Sequence, residues 1–516
     1  MKLHLLSKTL RTTLLIIVFT TGVVFAGPDD VVTVALPFDP ATVNVIETRT
    51  GVDLMLGHMH ENLMAADAVT GEYRVNLAEY IKVMPNKKDF KIKLENGHLF
   101  HTGEPLTAHD IKWTYEQCAD PANSHMQGST IGEIEEIEVI DDHNLIFHFY
   151  QKYAPWRELM WIAICSKKYY EKVGKDKFRS HPVGSGPFRF VSRKIGESLT
   201  LESDPNYLYK ENMYNKNKTK IIKKKALKKK VDYKTLKLIA ITDPITRLSM
   251  LQTGEVDLIF NILPRDTSQL KDNQNIILKK ISDVPSFYGM GTRPRQYPLL
   301  KDLKLQAALT HAINRQEIID KIYLGEGFPL YMYAERSELG FDPNIKIEFN
   351  PTKARSLLKE SSYDGTPLIL SYSSAVPSSS LIATIIQNYL KNIGIKVVLQ
   401  QLEGGTLITY IRKRDPKLGH MFLYAFGGGR DPQYRMMMTV MSDSIYTSYP
   451  DRPSAKILDQ LVLKQAQELD EAKRLVILKK IHAILGKEPS TVPLYGLKQI
   501  YAMRDRIDYT WRPKAG

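Results

Sequence analysis

The stretch DFKIKLENGHLFHTGEPLTAHDIKWTYEQC, from Asp89 to Cys118, contains two elements with clear boundaries. Its first part alternates apolar and polar residues and stops at Gly97, which predicts a half-buried strand. Its last part predicts a helix after Thr107, because Thr107 is a favourable N-cap and Asp110, three positions later, forms a variant of the capping box. A strand, a turn and a capped helix in one short stretch indicate a mixed α/β protein.

Other stretches extend this α/β pattern in both directions. VVTVAL (Val31–Leu36) predicts a strand, and two hairpins are predicted around Asp141–Asn144 and around Gly196. After mid-chain, helices alternate with strands; LIATIIQNYLKNIGIKVVLQQL, for example, predicts a helix that ends at Gly394 and then a strand. The later half therefore predicts α/β units, and the part before residue 200 predicts a more antiparallel addition.

The chain has 516 residues, which is too long for one simple core and suggests two to four domains. Hydrophobic residues make up 43% and charged residues 25%, as in globular proteins. Cys118 and Cys165 are the two cysteines. They are too few for a disulfide scaffold, although one bridge is possible in an oxidising compartment.

The N-terminal segment predicts export. Lys2, Lys8 and Arg11 precede the apolar run TLLIIVFTTGVVFA, and VFA before Gly27 fits cleavage after Ala26. The alternative, a membrane anchor, needs about 20 apolar residues, more than this run contains. The absence of a cysteine near the cleavage site argues against a lipid anchor. The segment 1–26 is therefore predicted to be a cleavable signal peptide.

The net charge of +14 is concentrated in a few places. The signal segment accounts for three positive charges, and KNKTKIIKKKALKKK (Lys216–Lys230) holds nine lysines without an acid, which leaves the rest of the chain at only +2. Nucleic-acid binding is not predicted, because this run lacks arginine and aromatic residues. A solvated loop is the favoured interpretation, and contact with anionic lipid is the functional alternative.

No catalytic motif is present in the sequence. FGGGRDPQYR (Phe426–Arg435) has the glycines of a phosphate loop without the Lys-Ser or Lys-Thr of a Walker motif, and VGSGPF (Val183–Phe188) lacks the G-x-S-x-G elbow of a serine nucleophile. His58 and His60 are two residues apart, not the four of the paired-histidine helix motif. On a strand both would face the same way, so a cleft metal is conceivable, but packed or solvated histidines are favoured and no metal site or cofactor is predicted.

Several motifs occur in an order that resembles one family. The stretch from Asp89 to Cys118 resembles the signature of the extracellular solute-binding proteins of family 5, the oligopeptide-, dipeptide- and nickel-binding periplasmic proteins of ABC importers. PVGSGPFRF, LQTGEVDLIF, LKLQAALTHAINRQEII and YLKNIGIKVVLQ follow in the expected order. The resemblance covers nearly the whole chain after the signal segment.

The resemblance implies an α/β, two-lobe periplasmic binding protein fold of type II, with an extra α+β domain inserted in the first lobe. The expected segments are the signal peptide at 1–26, lobe I at 27–48, 195–283 and 490–516, the inserted subdomain at 49–194, and lobe II at 284–489. Hinges are expected at two proline-bearing breaks, near Val284–Ser286 and near Pro489–Pro493.

The implied function is that of a periplasmic receptor. It is expected to capture peptides by hinge closure and to deliver them, as a monomer, to the permease and ATPase of an ABC importer, without chemistry on the ligand. The alternative within the same fold is a receptor for nickel, haem or another non-peptide solute. A secreted enzyme and an adhesin that uses the lysine-rich insertion are further alternatives from other classes.

The glycine-rich stretch bears on the ligand. Members of the peptide-binding branch commonly place an acidic residue before the Asp-Pro to meet the peptide amine, and the corresponding position here is Gly428. Asp431 could substitute, although Asp431 and Pro432 also read as an N-cap and first residue of a helix. Arg430, beside Gly428 and Gly429, favours instead an anionic group on the ligand, and the alternative is an arginine that is simply solvated.

The remaining candidates are positions that the family turns toward its cleft, and all could equally be core. They are Phe426, Tyr372, Tyr288 and Met290 in the second lobe, and Phe38, Asp39, His58 and His60 in the first.

Overall fold

The structure is a computed structural model that describes residues 31–39, 42–47, 57–66, 73–125, 127–207, 210–214, 221–226, 233–282, 286–373, 376, 378–427 and 429–509. The predicted signal peptide lies outside these residues. Strands within them are β1 (Val31–Leu36), β2 (Met64–Ala66), β3 (Tyr73–Val75), β4 (Ala78–Val83), β5 (Asp89–Leu94), β6 (Ile134–Asp141), β7 (Asn144–Phe149), β8 (Phe188–Lys194), β9 (Ser198–Ser203), β10 (Lys210–Tyr214), β11 (Ile221–Ala226), β12 (Thr235–Ala240), β13 (Leu258–Ile259), β14 (Ile276–Ile281), β15 (Phe287–Thr292), β16 (Gly327–Pro329), β17 (Leu368–Ser373), β18 (Val397–Leu402), β19 (Met421–Phe426), β20 (Thr491–Leu497) and β21 (Gln499–Arg504).

The helices alternate with these strands in the later part of the chain. They are α1 (Ala108–Ala119), α2 (Gly128–Ile131), α3 (Trp156–Leu159), α4 (Lys167–Ser180), α5 (Pro244–Thr253), α6 (Leu303–Ala312), α7 (Arg315–Tyr323), α8 (Pro351–Lys359), α9 (Ser379–Ile393), α10 (Gly404–Arg412), α11 (Gln433–Thr439), α12 (Ala455–Gln467) and α13 (Glu471–Lys487). None of the helices in the described part of the chain has the length and apolar character that crossing a membrane requires.

The first lobe is built on a seven-stranded sheet in the order β14-β21-β13-β1-β12-β9-β8. Its central strand β1 runs parallel to both β12 and β13. A parallel strand inside a sheet is covered on both faces, which explains why VVTVAL is almost entirely apolar. The strand predicted at Val31–Leu36 is thus confirmed.

The second lobe is built on a six-stranded sheet in the order β16-β20-β15-β19-β17-β18. Apolar side chains of α6–α9 form one core with this sheet, and those of α10–α13 form a second core. The sheet is mixed: β17 runs parallel to β18 and β19, whereas the pairs β15–β19, β15–β20 and β16–β20 are antiparallel. Its two faces are covered by helices, as an α/β arrangement requires.

The chain crosses between the two sheets twice. The first crossing joins β14 to β15 and includes the predicted break near Val284–Ser286, of which only Ser286 is among the described residues. The second joins β20 to β21 and lies at Lys498, not near Pro489–Pro493 as the prolines had suggested.

The hinge predicted near Pro489–Pro493 was wrong because Pro493 lies inside strand β20. The register between β15 and β20 shifts beside it, between Tyr288 and Gly289. On the other side β16 pairs only with Tyr495–Leu497. The missing N–H of Pro493 therefore interrupts no regular ladder, and the proline is tolerated within a strand.

The inserted subdomain has its own four-stranded antiparallel sheet, in the order β4-β5-β7-β6, and its own hydrophobic core. The subdomain ends earlier in the chain than the predicted boundary at residue 194. Hairpin β8–β9, around Gly196, belongs to the sheet of the first lobe, and Phe178 already packs in that lobe's core. The sequence could not separate the two because an alternating hairpin looks the same in either sheet.

The two cysteines are buried free thiols in different cores. Cys118 packs in the inserted subdomain and Cys165 in the first lobe, so no bridge joins them. Burial raises the pKa of both thiols, that of Cys165 to about 12.

The lysine-rich run Lys216–Lys230 was expected to be a loop. Strand β11 lies within it and pairs antiparallel with β10, so part of the run is a strand and that expectation was wrong there. Residues 216–220 and 227–230 lie outside the described residues.

Candidate functional site

The candidate site is the cleft between the carboxyl edges of the two sheets. β1, β12 and β13 are parallel and end on one edge of the first sheet, and β17, β18 and β19 are parallel and end on one edge of the second. Both crossings leave and enter at these same edges, since Ile281 pairs with Gln499 and Phe287 with Phe426. Open α/β sheets bind ligands outside the carboxyl ends of their strands.

The inserted subdomain also touches the second lobe directly. Ala154 donates its N–H to the carbonyl of Ala466 at 2.6 Å, and the side chain of Gln467 donates to that of Gln151 at 2.6 Å. Leu469 of the second lobe packs against the core of the inserted subdomain. The lobes are thus in contact beyond the hinge, which is a closed arrangement.

The glycine-rich stretch lies at this contact, against Glu158 of helix α3. Glu158 accepts a hydrogen bond from the Asp431 N–H at 3.3 Å and another from the Tyr73 hydroxyl. Burial and the nearby carboxylate raise the pKa of Tyr73 well above its usual value, so the phenol keeps its proton and donates it. A Cβ on Gly429 would lie only 2.6 Å from the Glu158 carboxylate, so glycine at 429 leaves room for that group.

The anionic group predicted from Gly428, Gly429 and Arg430 therefore has a counterpart within the chain. The carboxylate of Glu158 occupies the space beside Gly429, while Gly428 itself lies outside the described residues. Arg430 is half-buried there, and its carbonyl accepts the Leu339 N–H at 2.9 Å. Nothing near Glu158 in the sequence pointed to this contact.

Asp431 is committed to an internal ion pair. Arg474 donates to both of its carboxylate oxygens, at 2.5 and 2.7 Å, and Gln433 donates its backbone N–H to Asp431 Oδ1 at 3.0 Å. Helix α11 begins at Gln433 with Pro432 at the N-cap, one residue later than predicted. Asp431 still accepts a hydrogen bond from the first residue of the helix, although it lies one residue before the N-cap.

Three of the predicted second-lobe residues lie near the cleft edge of the sheet, and Met290 lies in the middle of β15. Phe426 is buried and its ring meets that of Tyr446 edge-on, with centroids 5.6 Å apart. Tyr288 stacks on Tyr495 at 4.8 Å. Tyr372 is buried, with its hydroxyl 3.4 Å from Gln401 Oε1. Met290 is fully buried in the lobe core and has no exposed surface.

Of the first-lobe candidates, Phe38 and Asp39 lie just beyond the carboxyl end of β1. Phe38 is 37% exposed. Asp39 accepts the Gly196 N–H at 2.7 Å and a hydrogen bond from Arg193 at 3.3 Å, so it anchors the turn of hairpin β8–β9. The carboxylate thus has a structural task at the edge of the cleft.

His58 and His60 do not share a face. Residues 57–59 form a helical turn instead of the strand considered for them. His58 meets Phe188 edge-on at 5.9 Å, whereas His60 Nδ1 lies 3.1 Å from the Ile164 carbonyl. Burial lowers the pKa of each imidazole to about 4. Within the described part of the chain, no three His, Cys, Asp or Glu side chains are grouped to hold a metal ion.

The motif VGSGPF has a packing role that the sequence did not reveal. A Cβ on Gly184 would lie 2.0 Å from the Met59 carbonyl oxygen, and one on Gly186 would lie 2.7 Å from that of His58. His101 contacts both glycines. Its backbone N–H donates to the Gly184 carbonyl at 2.8 Å, and its ring Nε2 lies 3.0 Å from the Gly186 carbonyl oxygen. This motif clamps the segment that carries both histidines.

Two α/β lobes, joined by two crossings and with a cleft between their carboxyl edges, define a two-lobed ligand-binding protein. A profile of the bacterial extracellular solute-binding proteins, family 5 Middle, matches residues 72–447. The chain belongs to this family, which confirms the resemblance inferred from its motifs.

Relatives of known class are moderately similar. The oligopeptide-binding protein AppA of Bacillus subtilis is 26% identical over 359 residues, which cover 65% of this chain and 62% of AppA. The chain thus spans less than two thirds of AppA in that alignment. The oligopeptide-binding protein OppA of the same organism is 23% identical over 491 residues, or 86% of this chain and 84% of OppA.

Solved structures show the same fold. The ABC transporter substrate-binding protein CtaP of Listeria monocytogenes superposes with a TM-score of 0.79 at 22% identity, covering 92% of this chain and 94% of CtaP. DppA of Helicobacter pylori in complex with the peptide STSA gives 0.77 at 20% identity, with coverages of 94% and 95%. NikZ of Campylobacter jejuni in complex with Ni(L-His) gives 0.77 at 18% identity, with coverages of 94% and 96%. These likenesses confirm the predicted two-lobe fold.

Proposed function

We propose that this protein is a peptide-binding receptor of an ABC importer. It encloses a peptide between its lobes, performs no chemistry on it, and presents the closed complex to a membrane permease that works with an ATPase. The proposal rests on the cleft between the carboxyl edges, combined with family membership and two relatives named as oligopeptide-binding proteins.

Closure supplies the switch that such a receptor needs. A ligand shifts an open–closed equilibrium only through contacts that it makes in the closed state. Here the closed state already has contacts of its own, at Ala154 with Ala466 and at Glu158 with the 429–431 loop. A bound peptide therefore adds contacts to an existing interface between the lobes. It needs to supply only part of the free energy that holds them closed.

The peptide amine is not the proposed anchor. Glycine stands at 428, where an acid is expected, and both carboxylate oxygens of Asp431 accept hydrogen bonds from Arg474. We propose instead that an anionic group of the ligand reaches Gly428 and Arg430, because a guanidinium favours negative charge. Beside Gly429 the Glu158 carboxylate already takes the place of such a group.

The other predicted contact residues differ in how much exposed surface they offer to a ligand. Phe38 and Tyr288 retain exposed surface and are proposed to meet ligand side chains. Met290 has no exposed surface, so it acts only as packing under the cleft wall. Asp39, His58, His60, Tyr372, Phe426 and Asp431 are proposed to shape that wall.

The first experiment is native mass spectrometry of the purified protein, followed by denaturation and sequencing of any released ligand. The expected result is one or more short peptides. Release of nickel, haem or another non-peptide solute would replace the peptide receptor with another receptor of the same family. Incubation with those peptides should leave their masses unchanged, whereas cleavage products would indicate an enzyme.

The anion contact is tested by substituting Arg430→Ala and titrating the released peptide by calorimetry. Loss of one hydrogen bond to a charged group costs about 1.5–3 kcal/mol, so we expect affinity to fall about tenfold or more. Arg355→Ala, on the exposed face of helix α8, is the matched control and should bind as wild type. Equal affinities for Arg430→Ala and wild type would remove Arg430 from the site.

Export and assembly are tested separately. We propose that the mature protein begins at Gly27, resides in the periplasm and is monomeric. N-terminal sequencing of the exported protein checks the cleavage after Ala26, and light scattering checks its mass. A mature chain that keeps residues 1–26, or a dimer mass, would contradict these two points.

A further inference from the structure

A second cavity lies within the second lobe. Its volume is about 380 Å³, and its walls come from the end of helix α6, the segment after β16, and the end of helix α13 with the start of β20. Every residue of its wall lies between 307 and 493, and none belongs to the first lobe. Thr491 of the wall pairs with Gly291, near the sheet edge opposite to Phe287 and Phe426, so the cavity is separate from the cleft.

The cavity exists because the edge of the second sheet is incomplete. β16 is the edge strand, but it pairs only with Tyr495–Leu497 of β20. Thr491 and Pro493, earlier in β20, pair with β15 on one side and line the cavity on the other, where β16 does not reach. The volume lies in the range of small-molecule sites, which is about 300–1,000 Å³.

His482 is a buried polar group in the cavity wall. Its side chain is 6% exposed, and neither ring nitrogen has a hydrogen-bond partner among the described residues. Burial, with a smaller effect of nearby Arg435, lowers its pKa to about 3, so the imidazole is neutral and offers one donor and one acceptor. Leaving such a group unpaired is costly, and a ligand with a polar group at this point would satisfy it.

The charged residues of the wall are mostly basic. Lys346, Lys353 and Lys487 are exposed and line the cavity with one acid, Glu348. Lys346 Nζ also lies 5.4 Å from the ring centroid of Tyr331, another wall residue. The exposed lysines make the opening of the cavity positively charged, which attracts a negatively charged group.

The interior also offers apolar surface. Met332, Leu485, Pro489 and Pro493 contribute to the wall beside the Tyr331 ring. Apolar walls with a few converging polar groups are typical of small-molecule sites.

We propose that this cavity is a second ligand site, for a small organic anion with an apolar body. The body lies against Tyr331 and the apolar residues, its polar atoms bond to His482, and its negative group meets Lys346, Lys353 and Lys487. The site is independent of the peptide cleft and of the function proposed for that cleft.

The proposal is tested with a pair of fluorescent probes that share one ring system. Anilinonaphthalene sulfonate carries an anionic group, and N-phenylnaphthylamine lacks it. We expect the wild-type protein to bind the sulfonate at one saturable site, about tenfold or more tightly than the neutral probe. Equal affinity for both probes would overturn the anion assignment.

Variants locate the bound probe. A Cβ on Gly486, in the cavity wall, meets no atom within 4 Å, so a side chain can begin there. We expect the ring of Gly486→Phe to occupy cavity space and to abolish sulfonate binding. Lys353→Glu should weaken it several-fold. Lys359→Glu, on the same helix but away from the cavity wall, should leave it unchanged.

The remaining outcomes separate this site from the cleft. His482→Leu should weaken the sulfonate without lowering the melting temperature, because it removes an unpartnered group. Peptide affinity should be the same in all four variants. Sulfonate binding that persists in both Gly486→Phe and Lys353→Glu, or that is displaced by peptide, would place the probe elsewhere and overturn the proposal.

Discussion

Gly184 and Gly186 show how closely two segments of the chain approach each other. The carbonyl oxygens of Met59 and His58 lie where side chains at these two glycines would begin, and the Gly186 N–H donates to the Met59 carbonyl at 2.8 Å. A backbone carbonyl cannot move aside as a flexible side chain can. Glycine at both positions is therefore required by packing.

Gly184→Ala should be strongly destabilising because it forces the segment at Met59 away. Overpacking of this kind costs about 1–3 kcal/mol, and we expect the upper end of that range. Gly57→Ala is the matched control: its Cβ meets no atom within 4 Å, and the substitution should change stability little. Denaturant unfolding of both variants measures the difference, and equal stabilities would contradict the packing argument.

At the scale of the element, helix α1 shows how one cap joins two helices. Asp110 accepts the N–H of Thr107, which closes the predicted capping box, at 3.0 Å. Its other oxygen accepts the Lys167 N–H at the start of helix α4, also at 3.0 Å. Asp110 is 7% exposed, so burial raises the pKa of its carboxyl group while these hydrogen bonds oppose the shift.

Asp110→Ala should cost more than loss of an ordinary cap. It leaves two backbone N–H groups without their acceptor, one of them in another helix, and we expect a loss of about 2–3 kcal/mol. Asp243→Ala, at the exposed N-cap of helix α5, removes a cap of ordinary strength and should cost about 1 kcal/mol. Thermal unfolding of both variants compares them; a smaller loss at Asp110 would show that its second bond contributes nothing.

At the scale of the whole molecule, buried histidines in both lobes make stability depend on pH. Burial lowers the pKa of His58 and His60 in the first lobe to about 4, and of His482 in the second to about 3. Their usual value is about 6.5 in an unfolded chain. Between these values the unfolded state binds more protons, so the stability is fully present above about pH 6.5 and is lost as the pH falls toward 4.

His60→Asn should flatten this pH dependence. The substitution removes a titrating group whose shift accounts for up to about 3 kcal/mol between pH 7 and pH 4, while an amide can still donate to the Ile164 carbonyl. Unfolding free energies of wild type and variant, measured at intervals over this range, should converge as the pH falls. Parallel curves would show that His60 does not titrate with unfolding.

Sequence reasoning succeeded where the cause of a structure is local. The capping box at Thr107 and Asp110, the hairpin at Asp141–Asn144 and the helix end at Gly394 all formed as predicted. Each depends on hydrogen bonds or backbone angles within a few residues, which the sequence specifies directly. The order of family motifs extended this local information to the two-lobe fold.

Reasoning from the sequence failed where the same local pattern is compatible with more than one structure. Pro493 was interpreted as a break but lies within β20, because an irregular register accommodates it there. The predicted boundary at residue 194 assigned strand β8 to the insertion and separated it from β9, but the two strands pair within the sheet of the first lobe. In both cases the neighbouring strand decides, and that strand is distant in the sequence.

The sequence alone determined the class of fold, the family and most helix and strand positions, since these follow from short-range patterns. Only the tertiary structure decided that Glu158 lies against Gly429 and bonds to Asp431, which is 273 positions away in the chain. It also decided that Asp431 is held by Arg474, and that His482 faces an open cavity. Such contacts depend on how separate sheets and helices assemble, because side chains meet across elements whose placement no local pattern encodes.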